Sequence, residues 1–115
     1  MSKSNRRAAA ARLLQNVALF AALGDGTRLE IVARLADGSQ QSITQLTAET
    51  TVTRQAIAKH LRVLETAGVV RSAKCGRETL FALQPSSLSE AQRALAAIAE
   101  QWDAALGRLQ AFVET

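Results

Sequence analysis

The sequence predicts a mainly α-helical chain with one β-hairpin, about five helices and two strands, and three observations carry that prediction. Apolar residues recur at helical spacing over five separate stretches, and capping residues and glycines punctuate those stretches. Between Ser42 and Leu83 the string SITQLTAETTVTRQAIAKHLRVLETAGVVRSAKCGRETLFAL runs helix, turn, basic helix, then a short hairpin with a basic tip. That order is a winged helix-turn-helix, and it points to duplex DNA.

Residues 1–7 are polar and basic, and a flexible N-terminus is expected there, ahead of a single domain over 8–115. From Ala8, the side chains of Leu13, Val17 and Phe20 follow helical spacing up to Gly24. Asp25 can cap a second helix by accepting from the free amides ahead of Arg28. Leu29, Val32 and Leu35 then form one apolar stripe, closed by Asp37 and Gly38. A loop over Gly38 to Gln41 leads to Ser42, which with Gln45 fits a capping box; Ile43 and Leu46 anchor this short third helix. Thr50 and Thr51 form a β-branched turn, and Thr53 can cap a longer helix from Arg54 to Ala67. There Ile57, Leu61 and Leu64 face inward while Arg54, Gln55, Lys59 and Arg62 face outward, and Gly68 ends it.

Val69 and Val70, then Leu80, Phe81 and Leu83, read as two strands around Lys74, Cys75, Gly76 and Arg77, with a glycine where a positive φ is needed. Pro85 stops the hairpin, and Ser87 with Glu90 fits a second capping box for the last helix. Along it Leu88, Ala91, Leu95, Ile98, Trp102, Ala105, Leu109 and Phe112 alternate by three and four. Such a seam, roughly 37 Å for about 25 residues, is longer than one small domain needs to cover. It is therefore expected to pack on a second copy, together with the first helix. The expected dimerisation residues are Leu13, Val17, Phe20, Leu95, Ile98, Trp102 and Leu109. Trp102 reads as a packing anchor on that seam, with a small apolar ligand between the first and last helices as the other reading.

Six of the 14 Lys and Arg residues, Arg54, Lys59, Arg62, Arg71, Lys74 and Arg77, lie between Thr51 and Arg77, where Glu65 is the only acid. The local net of +5 exceeds the +4 of the whole chain, so the basicity belongs to this module and not to overall composition. An α-helix fits the major groove and its first turns reach base edges, which selects Thr53, Arg54, Gln55, Lys59 and His60. Gln55 can pair bidentately with adenine and Arg54 with guanine or a phosphate; Thr51 and Thr53 can donate to phosphate. Lys74 and Arg77 flank the wing tip, where they could follow the minor groove or its phosphates. Arg62 and Arg71 either join this surface or pair with Glu65 or Glu78. His60 either packs or meets a phosphate, and no second His exists to share a metal with it.

The totals exclude several classes. A chain of 115 residues is long enough for a real core without disulfide or metal staples. One cysteine, Cys75, cannot form an internal disulfide or a multi-thiolate metal site, which suits a reducing cytoplasm. The basic start and apolar continuation superficially resemble a signal peptide, but Gln15 and Asn16 interrupt the run, so neither export nor membrane crossing is expected. Aromatics make up only 3% with no Tyr, which argues against a base-stacking platform for single strands. Without a phosphate-binding glycine loop, a Ser/His/Asp set or paired carboxylates, neither enzymatic activity nor a cofactor is expected.

The segments FAALGDGTRLEIVARLADG, TRQAIAKHLRVLETAGVV and GRETLFAL are similar to those of the ArsR-type (SmtB/ArsR) bacterial transcriptional repressors, over roughly Leu14 to Phe112. The phrase KHLRVLETAGVV followed by a basic hairpin is much narrower than a generic helix-turn-helix. Gly26 stands where many members have proline, a departure that loosens the first turn without changing its cap. The resemblance implies a homodimer that binds an inverted-repeat operator near its own promoter and represses by excluding polymerase. It also implies what is missing. Arsenic and cadmium sites of such relatives use cysteine pairs near the third helix, where Ser42 to Thr51 holds none; their last-helix sites use His with Asp or Glu. Here that helix has Glu90, Glu100, Asp103 and Glu114 but no His. A metal-independent repressor is expected.

Cys75 has two readings: an inert surface thiol, or a redox switch whose flanking cations Lys74 and Arg77 make it reactive and whose adduct would obstruct DNA. Two other functions also stay open. One is a winged-helix protein-interaction module without DNA binding, and the other is a nonspecific architectural DNA binder.

Overall fold

A computed structural model describes residues 3–114. In chain order the elements are α1 (Lys3–Gln15), α2 (Val17–Leu23), α3 (Gly26–Arg34), β1 (Gln41–Ser42), α4 (Ile43–Ala48), α5 (Arg54–Thr66), β2 (Val70–Cys75), β3 (Glu78–Leu83) and α6 (Pro85–Glu114). The strands form one antiparallel sheet in the order β1-β3-β2. The mainly α architecture with a hairpin wing is as expected. The chain forms two compact units, one running from Ala18 to Leu88 and one built from the two chain ends, up to Val17 and from Ser89 onward.

The unit from Ala18 to Leu88 holds the helix-turn-helix and the wing. Its innermost side chains are Leu35, Leu46, Ile57, Leu61, Leu64 and Val69. Asp25 caps α3 as its sequence position requires, with Oδ2 accepting from the Arg28 N–H at 3.0 Å. The apolar stripe of α3 differs from the expected one. Ile31 and Leu35, four residues apart, are buried and Val32 is half-buried, whereas Leu29 is 50% exposed because it lies on the opposite side of the helix from Ile31. Ser42 and Gln45 form the full capping box of α4: Ser42 Oγ accepts from the Gln45 N–H at 3.2 Å and Gln45 Oε1 accepts from the Ser42 N–H at 2.8 Å. Thr53 Oγ1 accepts from the Ala56 N–H at 3.1 Å and caps α5.

Two further expectations change here. The segment ending at Gln41 is not all loop, because Gln41 and Ser42 pair with Phe81 and Leu80 on the free edge of β3. Two residues are too few to show a strand pattern in sequence. The hairpin strands are also longer than read, since Lys74 and Cys75 belong to β2 and pair with Thr79 and Glu78. The turn is only Gly76 and Arg77. Gly76 has φ +67, the positive value that a first central position demands in a II′-type hairpin.

The start of α6 is a third correction. Pro85 is its first residue, a position where the missing proline N–H removes no helical bond. Gln84 supplies the carbonyl that accepts from the N–H groups of Ser87 and Leu88. Ser87 therefore lies inside the helix and forms no capping box with Glu90; its Oγ instead donates to the Gly68 carbonyl at 2.6 Å.

In the unit of the chain ends, α1 begins at Lys3 and not at Ala8, in a run of Lys, Arg and Ala that favours helix. Met1 and Ser2 of the expected flexible segment lie outside the described residues. The single first helix read from the sequence is interrupted at Asn16. Its Nδ2 donates to the Arg12 carbonyl at 2.7 Å, the acceptor its own N–H would need to continue the helix, and that N–H bonds Leu13 instead at 3.0 Å. Glu90 on α6 joins Arg12 on α1 at 3.5 Å and Arg93 at 3.5 Å. Gln101 Nε2 donates to the Asn5 carbonyl at 3.4 Å, and Ala9, Ala91 and Ala94 are buried.

Two outcomes follow from the caps. Ser42→Ala should lower unfolding free energy by about 1 kcal/mol in urea titration, whereas Ser86→Ala, at an exposed position, should change it by less than about 0.5 kcal/mol. The Arg28 N–H holds the Asp25 carboxyl below its ordinary value of 3.8, with the Arg28 and His60 charges adding to the effect and partial burial opposing it. Because the folded-state value is depressed, the Asp25 contribution to stability is complete above 3.8 and disappears as pH falls through the lowered value. Asp25→Ser keeps a cap without the carboxylate, so its Tm should fall less steeply than that of the parent on acidification, as measured by thermal unfolding from about pH 5 to pH 2.

Candidate nucleic-acid interface

The inner face of α5 sets its outer one. Ile57, Leu61 and Leu64 are at most 1% exposed. Gln55, Lys59 and Arg62 repeat the same spacing two residues earlier, about 200° around the helix, and all three are exposed. Arg54 opens the helix on the same exposed side, and its guanidinium donates to Thr44 Oγ1 of α4 at 2.7 Å. Thr51 is exposed in the turn ahead of α5, and the exposed Thr53 hydroxyl is engaged as the cap. Between Thr47 and Val52 the turn is held by Thr50, whose Oγ1 accepts from the Val52 N–H at 3.2 Å.

His60 is placed differently from its neighbours. It is half-buried, with Nδ1 3.3 Å from an Arg28 guanidinium nitrogen and 3.8 Å from Asp25 Oδ2. Arg28 also donates to the carbonyls of Ala21 and Ala22 at the end of α2. One guanidinium thus links α2, α3 and α5 around His60. Of the two roles read for His60, this arrangement fits packing.

The wing carries Lys74 at the penultimate position of β2 and Arg77 in the turn, both exposed. Cys75 is exposed, and the residue directly across from it is Glu78, an acid; Lys74 lies on the other face of the ribbon. Glu65, the acid of α5, accepts from Ser72 Oγ of β2 at 2.5 Å, which ties the wing to the helix. Among the described residues no ion pair joins Arg62 or Arg71 to Glu65 or Glu78.

The residues assigned to dimerisation fall on the terminal helices and α2. Val17, Leu95, Trp102 and Leu109 are exposed, Trp102 by 63%, while Leu13, Phe20 and Ile98 are half-buried. Leu14, Leu106, Phe112 and Val113 are exposed as well. Among the described residues no three His, Cys, Asp or Glu side chains gather as a metal site would require. Among the described residues no helix is long and apolar enough to cross a membrane.

Sequence reasoning overlooked the residues that hold this face in place. Arg34 donates to the carbonyls of Gln45 and Leu46 at the end of α4, the latter at 2.5 Å. Arg28, Thr44 and Ser72 act in the same manner. Their partners lie 6 to 32 residues away. The only local signal was an Arg on the inner side of α3.

Residues 25–72 match the family described as bacterial regulatory protein, arsR family. Over 66 residues the chain is 44% identical to the uncharacterised HTH-type transcriptional regulator YuzN of Bacillus subtilis, a match covering 52% of this chain and 72% of that one. It is similar in structure to an ArsR-like transcriptional regulator from Rhodococcus sp. RHA1, with a TM-score of 0.72 and 37% identity over 87% of this chain and 93% of that one. The fold also resembles the homodimeric winged helix-turn-helix DNA-binding domain Mb0332 from Mycobacterium bovis, at a TM-score of 0.62, 21% identity, and 79% and 84% coverage. The buried face of α5, the basic outer face and the hairpin wing are therefore those of a DNA-binding regulator and not of an enzyme, and the chain belongs to the ArsR family of bacterial transcriptional regulators.

Proposed function

We propose that the chain is a homodimeric, sequence-specific repressor that binds an inverted-repeat operator in double-stranded DNA without a metal. One observation carries this reading. Arg54, Lys59, Arg62, Arg71, Lys74 and Arg77 are all exposed, and among the described residues none has an acidic partner within 4 Å. Cations without acidic partners in the protein remain available to phosphates, whose neutralisation dominates affinity.

On this reading Gln55 and Arg54 contact base edges from the first turn of α5. Thr51, Thr53, Lys59 and Arg62 serve phosphates, and Lys74 and Arg77 follow the backbone beside the minor groove. His60 acts from behind, keeping α5 in place. α2 and α6 support the dimer, because Val17 on the first and Leu95, Trp102 and Leu109 on the second expose apolar surface that water disfavours. The homodimeric character of Mb0332 is in keeping with this. Metal independence rests on residue types: Ser42 to Thr51 has no cysteine and α6 no His. The cytoplasm, where a lone Cys75 thiol stays reduced, suits this role.

Footprinting at about 150 mM salt should reveal one protected inverted repeat. Sequence-blind protection would indicate the architectural binder, and no protection the protein-interaction module. Gln55→Ala should cost about 1–3 kcal/mol on operator and little on random DNA; Lys74→Ala should weaken all sequences and reduce the salt slope by about 1. In sedimentation at micromolar concentration the parent should run as a dimer and Trp102→Glu/Leu109→Glu as a monomer; a monomeric parent would overturn the dimer.

A further inference from the structure

Within the unit from Ala18 to Leu88, a cleft of about 630 Å³ opens between α2 and the outer half of α5. That volume is in the range of small-molecule sites. Its walls are Ala18, Ala21, Val63 and Ala67, small side chains that leave room between the two helices. Val63 is 39% exposed although it stands on the helix that buries the core, so the cleft keeps an apolar surface in contact with water. Three cations, Arg28, Lys59 and Arg62, also line it, and the described lining contains no acid.

The cations differ in how they are held. Arg28 is fixed by the Ala21 and Ala22 carbonyls and His60, which occupy three of the five donors a guanidinium has. Lys59 and Arg62 are exposed and take part in no ion pair among the described residues. An apolar trough with one braced cation and two exposed ones outside any ion pair complements a molecule with an apolar body and a single anionic head. DNA phosphate alone would leave the trough unfilled.

We propose that this cleft binds a small anionic amphiphile, a carboxylate on a flexible apolar chain, with Arg28, Lys59 and Arg62 holding the head and Val63 with the alanines covering the tail. Its regulatory consequence rests on the DNA-binding reading above. Lys59 and Arg62 cannot serve a ligand carboxylate and a phosphate at once, so the filled cleft opposes DNA binding, and DNA opposes the ligand to the same degree.

The test uses monomeric decanoate as probe, with decanol as its uncharged counterpart, on the full chain labelled with nitrogen-15. Decanoate should shift the amide resonances of Ala18, Ala21, Val63 and Ala67 and lower operator affinity at least about fivefold, the low end of a typical coupling between two sites. Decanol should do neither. Val63→Phe, which fills the trough, should bind operator as the parent does yet lose the response; Ala18→Phe is the second variant should the first fail to fold. Equal effects of decanol, shifts confined to the exposed apolar row of α6, or no shifts because a second copy covers the cleft would each overturn the proposal. The amide shifts need no DNA. Decanoate binding in the cleft of a chain that ignores operator would sink the DNA reading alone, whereas operator binding without the shifts would sink the cleft alone.

Discussion

The rotation of α5 about its own axis is the constraint on which the proposed DNA-facing surface depends. Ile57, Leu61 and Leu64 are held in a core with Leu35, Leu46 and Val69, and full burial of each such side chain is worth about 1.5–3 kcal/mol. Turning the helix by one residue, about 100°, would bring uncompensated polar groups toward that core, Arg62 and Glu65 in one sense or His60 in the other. Hydrophobic burial on one side thus determines which side chains the other side presents. Specific recognition needs such a rigid support, since the hydrogen bonds of a base edge tolerate little displacement.

Polar braces then position the helix that the core has oriented. α2 has seven residues and α4 six, lengths at which an isolated helix is unstable in water. Each ends on carbonyls that an arginine from α3 satisfies, Arg28 at Ala21 and Ala22 and Arg34 at Gln45 and Leu46. A cation at a helix C-terminus supplies donors to the orphan carbonyls and also suits the helix dipole. Two kinds of basic residue result within the unit from Ala18 to Leu88. Arg28 and Arg34 are bound to backbone and hold short helices together, while Lys59, Arg62, Lys74 and Arg77 remain open to solvent.

The unit formed by the chain ends is organised differently. Only Ala9, Ala91 and Ala94 are buried among its described residues, while larger apolar side chains of α6 from Leu95 to Val113 face water. A 30-residue helix of roughly 45 Å with this distribution is suited to association. Small residues inside and large ones outside reverse the usual order of a single globular core. The proposed dimer explains that reversal by making the exposed row a second core.

Much of this architecture was legible in the residues because it is local. The caps Asp25, Ser42 and Thr53, the inward row of α5 and the glycine of the wing turn each declare themselves within a few positions, since they satisfy backbone groups one turn away or repeat at 3.6 residues. Boundaries were less legible wherever a side chain had a choice of partners. Asn16 broke a helix that apolar spacing alone would continue, and Ser87 left a well-formed capping motif for the carbonyl of Gly68. What the sequence by itself determined was the order of elements, the inner and outer faces of α5 and the concentration of positive charge. Only the tertiary structure decided that Leu29 is exposed, that His60 turns toward Arg28 and Asp25, that Gln41 joins a sheet, and that three cations share an apolar cleft. The first set depends on interactions a few residues apart along the chain; the second depends on groups far apart in sequence, which meet only after the helices have packed.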